Sequence, residues 1–167
     1  MAEREAKHRV IVLDPNIRPS FIIDEKAYRA RISRMIAIAD IIKVSDEDLD
    51  WLVPGGADIA EKVIRLRQPA NQLVIVTRGS RSCLAFGAAG LLTEQEVEQS
   101  QVVDTVGAGD TFNSGLLASF AEQGCLSKAG VADLEVSQVS KALAYGAKVA
   151  AVTVSRAGAN PPWENEL

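Results

Sequence analysis

Three short apolar runs constrain this chain more than any other feature. Val10-Ile11-Val12-Leu13, Ile41-Ile42-Lys43-Val44 and Leu73-Val74-Ile75-Val76-Thr77 are almost continuously aliphatic or β-branched. They lack the in-and-out alternation of a half-solvated strand, so each asks for cover on both faces, as in a parallel sheet between helices. The segments between them have helical spacing. Asp24 suits an N-cap, and Tyr28, Ile32, Met35, Ile36 and Ala39 follow at helical intervals, which predicts a helix to about Asp40. Ser45 opens the next helix, with Asp48 at the capping-box position, and Pro54-Gly55-Gly56 stops it. A further helix is expected from Ala57 to Arg67. Strand and helix in alternation predict a three-layer α/β/α sandwich around a mostly parallel sheet.

The second half continues less regularly. Arg78-Gly79-Ser80 reads as a turn, Ser82 to Phe86 as a strand, and residues 91–103 as extended in parts. Asp110 to Glu122 predicts a helix with Phe112, Leu116, Leu117 and Phe120 on one side, ended by Gly124. Val136 to Val152 predicts the last long helix. At 167 residues the chain suits one domain, 1–167. Its 47% hydrophobic and 24% charged residues exclude a disordered chain. The net charge of −4 argues against a nucleic-acid partner, which would call for excess Lys and Arg. No apolar run approaches the ~20 residues of a membrane span. The charged leader, with His8, lacks the apolar core of a signal peptide. Cys83 and Cys125 stand apart from any metal-binding or redox spacing, which suits reduced thiols and a cytoplasmic location.

The stretch with chemistry in it is Asp104-Thr105-Val106-Gly107-Ala108-Gly109-Asp110-Thr111-Phe112. Two glycines allow a tight turn that feeds directly into a helix. The first amides of that helix have no intrahelical partner and add to the positive end of its dipole, which suits an anion such as phosphate. Asp110 at the same place fits a general base for a substrate hydroxyl attacking a γ-phosphate. The same residues also fit a plain tight turn with Asp110 as a cap, and the physics of this stretch alone leaves both readings open. It is neither a Walker A loop nor a dinucleotide-binding glycine pattern.

That run resembles, without a break, the C-terminal signature of the pfkB (ribokinase-like) family of carbohydrate kinases. Four other stretches match the family in order. Leu13-Asp14-Pro15-Asn16-Ile17-Arg18-Pro19 is similar to its D-x-N-x-R segment, and Lys43 to Asp48 to its N-x-x-E segment. Val76-Thr77-Arg78-Gly79 is similar to its nucleotide-site turn, and Ala150 to Pro162 to the segment that closes the adenine side. The resemblance implies ATP as donor, with Mg²⁺ and K⁺. It implies Asp110 as the catalytic base and the Gly107-Ala108-Gly109 backbone as the anion hole. It places Lys43, Ser45, Thr77, Gly79 and Arg18 in the cofactor-binding set. It assigns Asp104, Thr153 and Gly158 to a monovalent cation, and Asp48 to Mg²⁺ through water.

Departures from the pattern also matter. Ser45 stands where the family often has Asn, Asp48 where it usually has Glu, and Ser82 where the nucleotide turn has its second Gly. Family chains carry an N-terminal half with the lid and most sugar contacts, so this chain is expected to be the C-terminal nucleotide-binding and catalytic portion. Association through an exposed sheet edge, including as a homo-oligomer, is therefore expected. The texture of the matching segments is most similar to bacterial fructokinases, which implies phosphorylation of a fructose hydroxyl. 2-Keto-3-deoxygluconate kinase or another sugar kinase of the family is the alternative. A catalytically silent nucleotide-binding fragment is the alternative of another class.

Overall fold

In the computed structural model, residues 2–97 and 100–167 are described. Five strands form one sheet in the order β1 to β5: Val12–Leu13, Ile41–Ser45, Leu73–Thr77, Ser82–Gly87 and Gly90–Glu96. Strand β2 pairs in parallel with β1 and with β3, with Ile41 beside Leu73 and Ser45 beside Thr77. The pairings of β3 with β4 and of β4 with β5 are antiparallel. The sheet is therefore mixed. The cause is local, because a parallel return needs a crossover of a dozen or more residues and the links here are turns. Gly79 (φ +59°) and Gly90 (φ +114°) sit in the left-handed region at those two reversals.

Five of the helices lie where the spacing predicts, with shifts at their ends. The helices are α1 (Ala2–Glu5), α2 (Glu25–Ile38), α3 (Asp46–Leu52), α4 (Ile59–Leu66), α5 (Ala108–Glu122), α6 (Lys128–Ala132) and α7 (Val136–Val154). Asp24 caps α2 by accepting from the Ala27 amide, and Asp58 caps α4 by accepting from Glu61. Ser45 caps α3, but the expected capping box is only half present. The Ser45 hydroxyl accepts the Asp48 amide at 2.9 Å, while the Asp48 carboxylate turns to the Ile17 amide at 3.0 Å. The two five-residue-or-shorter helices α1 and α6 lack a period long enough to read from sequence.

Alternate residues of the central strands feed two separate cores. Ile41, Leu73, Ile75, Cys83 and Ala85 pack on one face against Phe112, Leu116 and Phe120 of α5 and Val139, Leu143 and Ala147 of α7. Ile42, Val44, Val74, Val76, Leu84 and Phe86 pack on the other against Ile32, Ile36, Leu49, Val63 and Leu66 of α2 to α4. This is the three-layer sandwich. Helices α5 and α7 meet backbone to backbone. A Cβ added at Gly146 would lie 2.9 Å from the Phe112 carbonyl oxygen, and one at Gly115 would lie 3.0 Å from the Gly146 Cα.

Polar groups tie down the amino end of the strands. Asp40 accepts the Ile11 amide at 2.7 Å and pairs with Lys128 at 2.8 Å, which joins β1, β2 and α6. Buried Gln72 donates to the carbonyls of Ile36 and Ala39 and accepts from the Gln68 amide. Among the described residues, no helix is long and apolar enough to cross a membrane.

Candidate functional site

The carboxyl ends of β1, β2 and β3 point toward the N-terminus of α5, where ligands of open α/β sheets bind. Gly107 is the residue before α5 and holds φ +80°, a conformation that L side chains rarely adopt. A Cβ there would also lie 3.0 Å from the Ala159 side chain. Gly109 is different. Its backbone is helical, and it is glycine for want of room: an added Cβ would meet Lys43 Nζ at 3.0 Å. The conformational demand expected of both glycines thus falls on Gly107 alone.

The turn leaves amides available. Ala108 donates to the Thr105 carbonyl at 3.3 Å, and Thr111 closes back on Gly107 at 2.9 Å. The amides of Gly107, Gly109 and Asp110 make no hydrogen bond among the described residues, and they lie at the positive end of a 15-residue helix. Asp110 is exposed on the same turn.

Beside this turn opens a cavity of about 500 Å³. One wall is the β3–β4 reversal, with Thr77, Gly79, Ser80 and Ser82. The other is Ala108, Gly109 and Phe112 of α5 with Ala147, Ala150, Ala151 and Val154 of α7. Val97, Ser100, Val102 and Thr105 edge it. The volume is in the range of small-molecule sites. Of the residues expected from sequence, Thr77, Gly79, Ala108 and Gly109 therefore meet on one cavity. The α7 wall was not singled out from sequence; the available signal was that Ala147, Ala150, Ala151 and Val154 share one helix face by spacing.

The other expected residues are placed as follows. Asp104 lies at the entrance to the turn. Its Oδ1 accepts the Val106 amide at 3.0 Å and its Oδ2 the Gly158 amide at 2.9 Å. The amides of Val106 and then Gly158 hold this carboxyl below its ordinary value of 3.8. The Thr153 carbonyl accepts from Arg156 at 3.1 Å and the Gly158 carbonyl from Asn160 at 2.9 Å, so each has one lone pair left for a cation. Arg18 is exposed and donates to the Ile17 carbonyl at 3.0 Å. Ser45 and Asp48 serve the α3 cap and the Ile17 amide. Lys43 is buried and pairs with Asp14 at 3.0 Å, and Asn113 of α5 donates to the same carboxylate oxygen at 2.8 Å. Asn113 was not singled out from sequence, and Asp14 entered only as the first residue of the D-x-N-x-R segment. The available signal was that Asn113 follows Gly109 by four residues and so shares its helix face. Buried Cys83 lines the cavity with its thiol pushed up to about 12 by loss of solvent, which keeps it un-ionised.

Residues 1–166 match the pfkB family carbohydrate kinases. The chain belongs to that family. Among the relatives of this pfkB-family chain is a fructokinase from Rhizobium leguminosarum bv. trifolii, 48% identical over 139 residues, covering 81% of this chain and 41% of that protein. A fructokinase from Klebsiella pneumoniae is 37% identical over 143 residues, covering 83% and 45%. In three dimensions the chain is similar to a fructokinase from Xylella fastidiosa solved with bound ATP. The TM-score is 0.83 at 28% identity, over 95% of this chain and 50% of that one. It is also similar to an aminoimidazole riboside kinase from Salmonella enterica, solved with aminoimidazole riboside and an ATP analog, at TM-score 0.70 and 28% identity. That match covers 90% of this chain and 47% of the other. This pfkB-family chain thus spans about half the length of the proteins it matches, with a ribokinase-like α/β/α architecture.

Proposed function

We propose that this chain is the nucleotide-binding and catalytic portion of an ATP-dependent sugar kinase, with fructose as the acceptor. One observation carries the reading: the free amides of the Gly107–Asp110 turn stand beside a cavity of about 500 Å³ that can hold a nucleoside. Fructokinases among the relatives, and a fructokinase that binds ATP among the similar structures, support donor and acceptor. In this reading Thr77 and Gly79 contact the nucleotide, and the turn amides face the phosphate that is transferred. ATP supplies the phosphoryl group. Asp110, exposed on that turn, takes the proton from the attacking hydroxyl. The turn amides then offset the charge that develops on the transferred group. Asp104, with the carbonyls of Thr153 and Gly158, would hold K⁺ near the turn. Asp48 would orient a water on Mg²⁺, using the oxygen that Ile17 leaves free. Residues 1–167 act as one unit, and two unpaired buried thiols suit the cytoplasm.

We also place an association surface on β1. Among the described residues that strand pairs with β2 on one side only, and Phe21 and Ile23, which follow it in sequence, are among the most exposed apolar residues.

The test is ADP release by the purified chain with ATP, Mg²⁺, K⁺ and fructose. Release that depends on fructose, and that falls by about 10²–10⁴-fold in Asp110→Ala with ATP binding retained, is the expected result. Equal release by Asp110→Ala would remove Asp110 from the reaction. The exposure of Asp110, with no cover over it among the described residues, favours one second reading: a fragment that binds nucleotide without turnover. Binding of ATP with no fructose-dependent release would establish that reading instead.

A further inference from the structure

Each helix layer has a hollow of its own. The cavity of about 500 Å³ lies against α5 and α7, and a second cavity of about 230 Å³ lies in the opposite layer, between α2, the end of α3 and α4. The apolar part of this second cavity includes Ile36 and Leu66, both buried. Its polar part is Arg29 and Ser33 from α2, Arg65 from α4 and Gln68 just beyond it. Among the described residues, no carboxylate lines it. Two cations thus border one partly apolar hollow from two different helices.

Arg29 is held by the fold itself. Its Nε donates to Glu25 at 2.7 Å and its Nη2 to the Trp51 carbonyl at 3.0 Å. Its guanidinium carbon sits 3.6 Å from the centroid of the Trp51 ring, and Tyr28 meets that ring edge-on. A guanidinium has five N–H donors, and these contacts use two of them. Arg65 donates to Glu61, one turn back along α4. Gln68 Nε2 donates to the Ser33 carbonyl at 3.2 Å and to the Ser33 hydroxyl oxygen at 3.1 Å, which ties the two walls together. The glutamates therefore position the guanidiniums without using up their donors. A guanidinium fork matches a carboxylate with two parallel hydrogen bonds. One that is fixed beforehand loses little freedom on binding.

We propose that this cavity binds a small organic acid, with its carboxylate on Arg29 and Arg65 and its aliphatic body against Ile36 and Leu66. At roughly 30 Å³ for each water-sized group, the volume takes an acid of about seven non-hydrogen atoms. The apolar wall selects an organic acid over a free inorganic anion, which would leave that wall uncovered. The sheet separates this site from the cavity beside the Gly107 turn, so the proposal stands independently of the nucleotide reading.

The experiment is an NMR titration of the full chain, isotopically labelled, at neutral pH. The probes are 3-methylbutyrate, an acid of that size, its uncharged counterpart 3-methylbutyramide, and inorganic phosphate. Saturable shifts of amides in α2 and α4, around Ser33 and Leu66, are expected with the acid, and weaker or no binding with the other two. Arg29→Met and Arg65→Gln should each weaken the acid by about 10- to 100-fold. If Arg29→Met does not fold, Arg65→Gln decides, because that side chain is 51% exposed and its partner among the described residues is the equally exposed Glu61. Absence of saturable shifts, or undiminished affinity in Arg65→Gln, overturns the site. Amide that binds as tightly as acid overturns recognition of a carboxylate, and phosphate that does so overturns the part given to the apolar wall.

Discussion

Replacing Gly146 by alanine tests the packing that aims the anion turn. In an exposed helix this change would add about 0.8–1.0 kcal/mol of stability through helix propensity. Here the new methyl group would lie 2.9 Å from the Phe112 carbonyl oxygen and 3.3 Å from the Phe112 ring. Carbon contacts settle at roughly 3.5–4.0 Å, so α5 and α7 would have to part by about half an ångström or more. The carbonyl belongs to the α5 backbone and cannot swing aside as a side chain would. Overpacking of this kind costs about 1–3 kcal/mol, which outweighs the propensity gain. Taking about 2 kcal/mol from the middle of that range, less the gain of about 0.8–1.0, we expect a net loss of about 1 kcal/mol. That corresponds to a fall in Tm of about 2–4 °C for a domain of this size. The assay is urea unfolding of the full chain, read as a lower midpoint at unchanged slope. Ala144→Gly, at an exposed position of the same helix, calibrates the propensity term. Gly146→Ala that is neutral or stabilising would refute the close approach of the two helices.

Two further expectations follow from the same structure. Asp104 has a lowered pKa, so its staple between Val106 and Gly158 contributes stability above the ordinary carboxyl pKa and loses it as pH falls through the folded value, below 3.8. Titration of the Asp104 carboxyl by NMR should therefore fall below 3.8, with Gly158 amide protection lost in step, and an unshifted titration would contradict the two hydrogen bonds. The open β1 edge should bring chains together, so sedimentation at rising concentration should show dimers or larger species. A clean monomer at high concentration would count against that surface.

Much of the fold was legible because the central strands are so uniformly apolar. Ile41–Val44 and Leu73–Val76 announce burial on both faces, and both are covered. Asp24 announced its helix start by capping chemistry, and the Gly107 turn announced its amides. The antiparallel half of the sheet was harder. Strand β5 alternates weakly because its face is only partly buried, and Gly79 and Gly90 reverse the chain within turns that composition alone does not orient. In the site, Thr77, Gly79, Ala108 and Gly109 line one cavity. The meeting of Asp14, Lys43 and Asn113 was not legible. Asp14 and Asn113 lie 99 positions apart, and a lysine inside an apolar strand gives no sign of which carboxylate receives it.

The two ends of the sheet differ in their unused hydrogen-bonding capacity. At the amino end Asp40, Gln72 and Lys128 are bound to backbone or to one another. At the carboxyl end Asp14 Oδ1, Asn113 Oδ1 and the amides of Gly107, Gly109 and Asp110 have no partner among the described residues. Saturated polar groups make one end a clasp; unsaturated ones make the other end a receptor. The molecule thus separates what holds it together from what it offers to a ligand along the length of its strands. Substitutions at the clasp should alter stability with little effect on ligand preference, whereas those at the receptor should alter ligand binding as well.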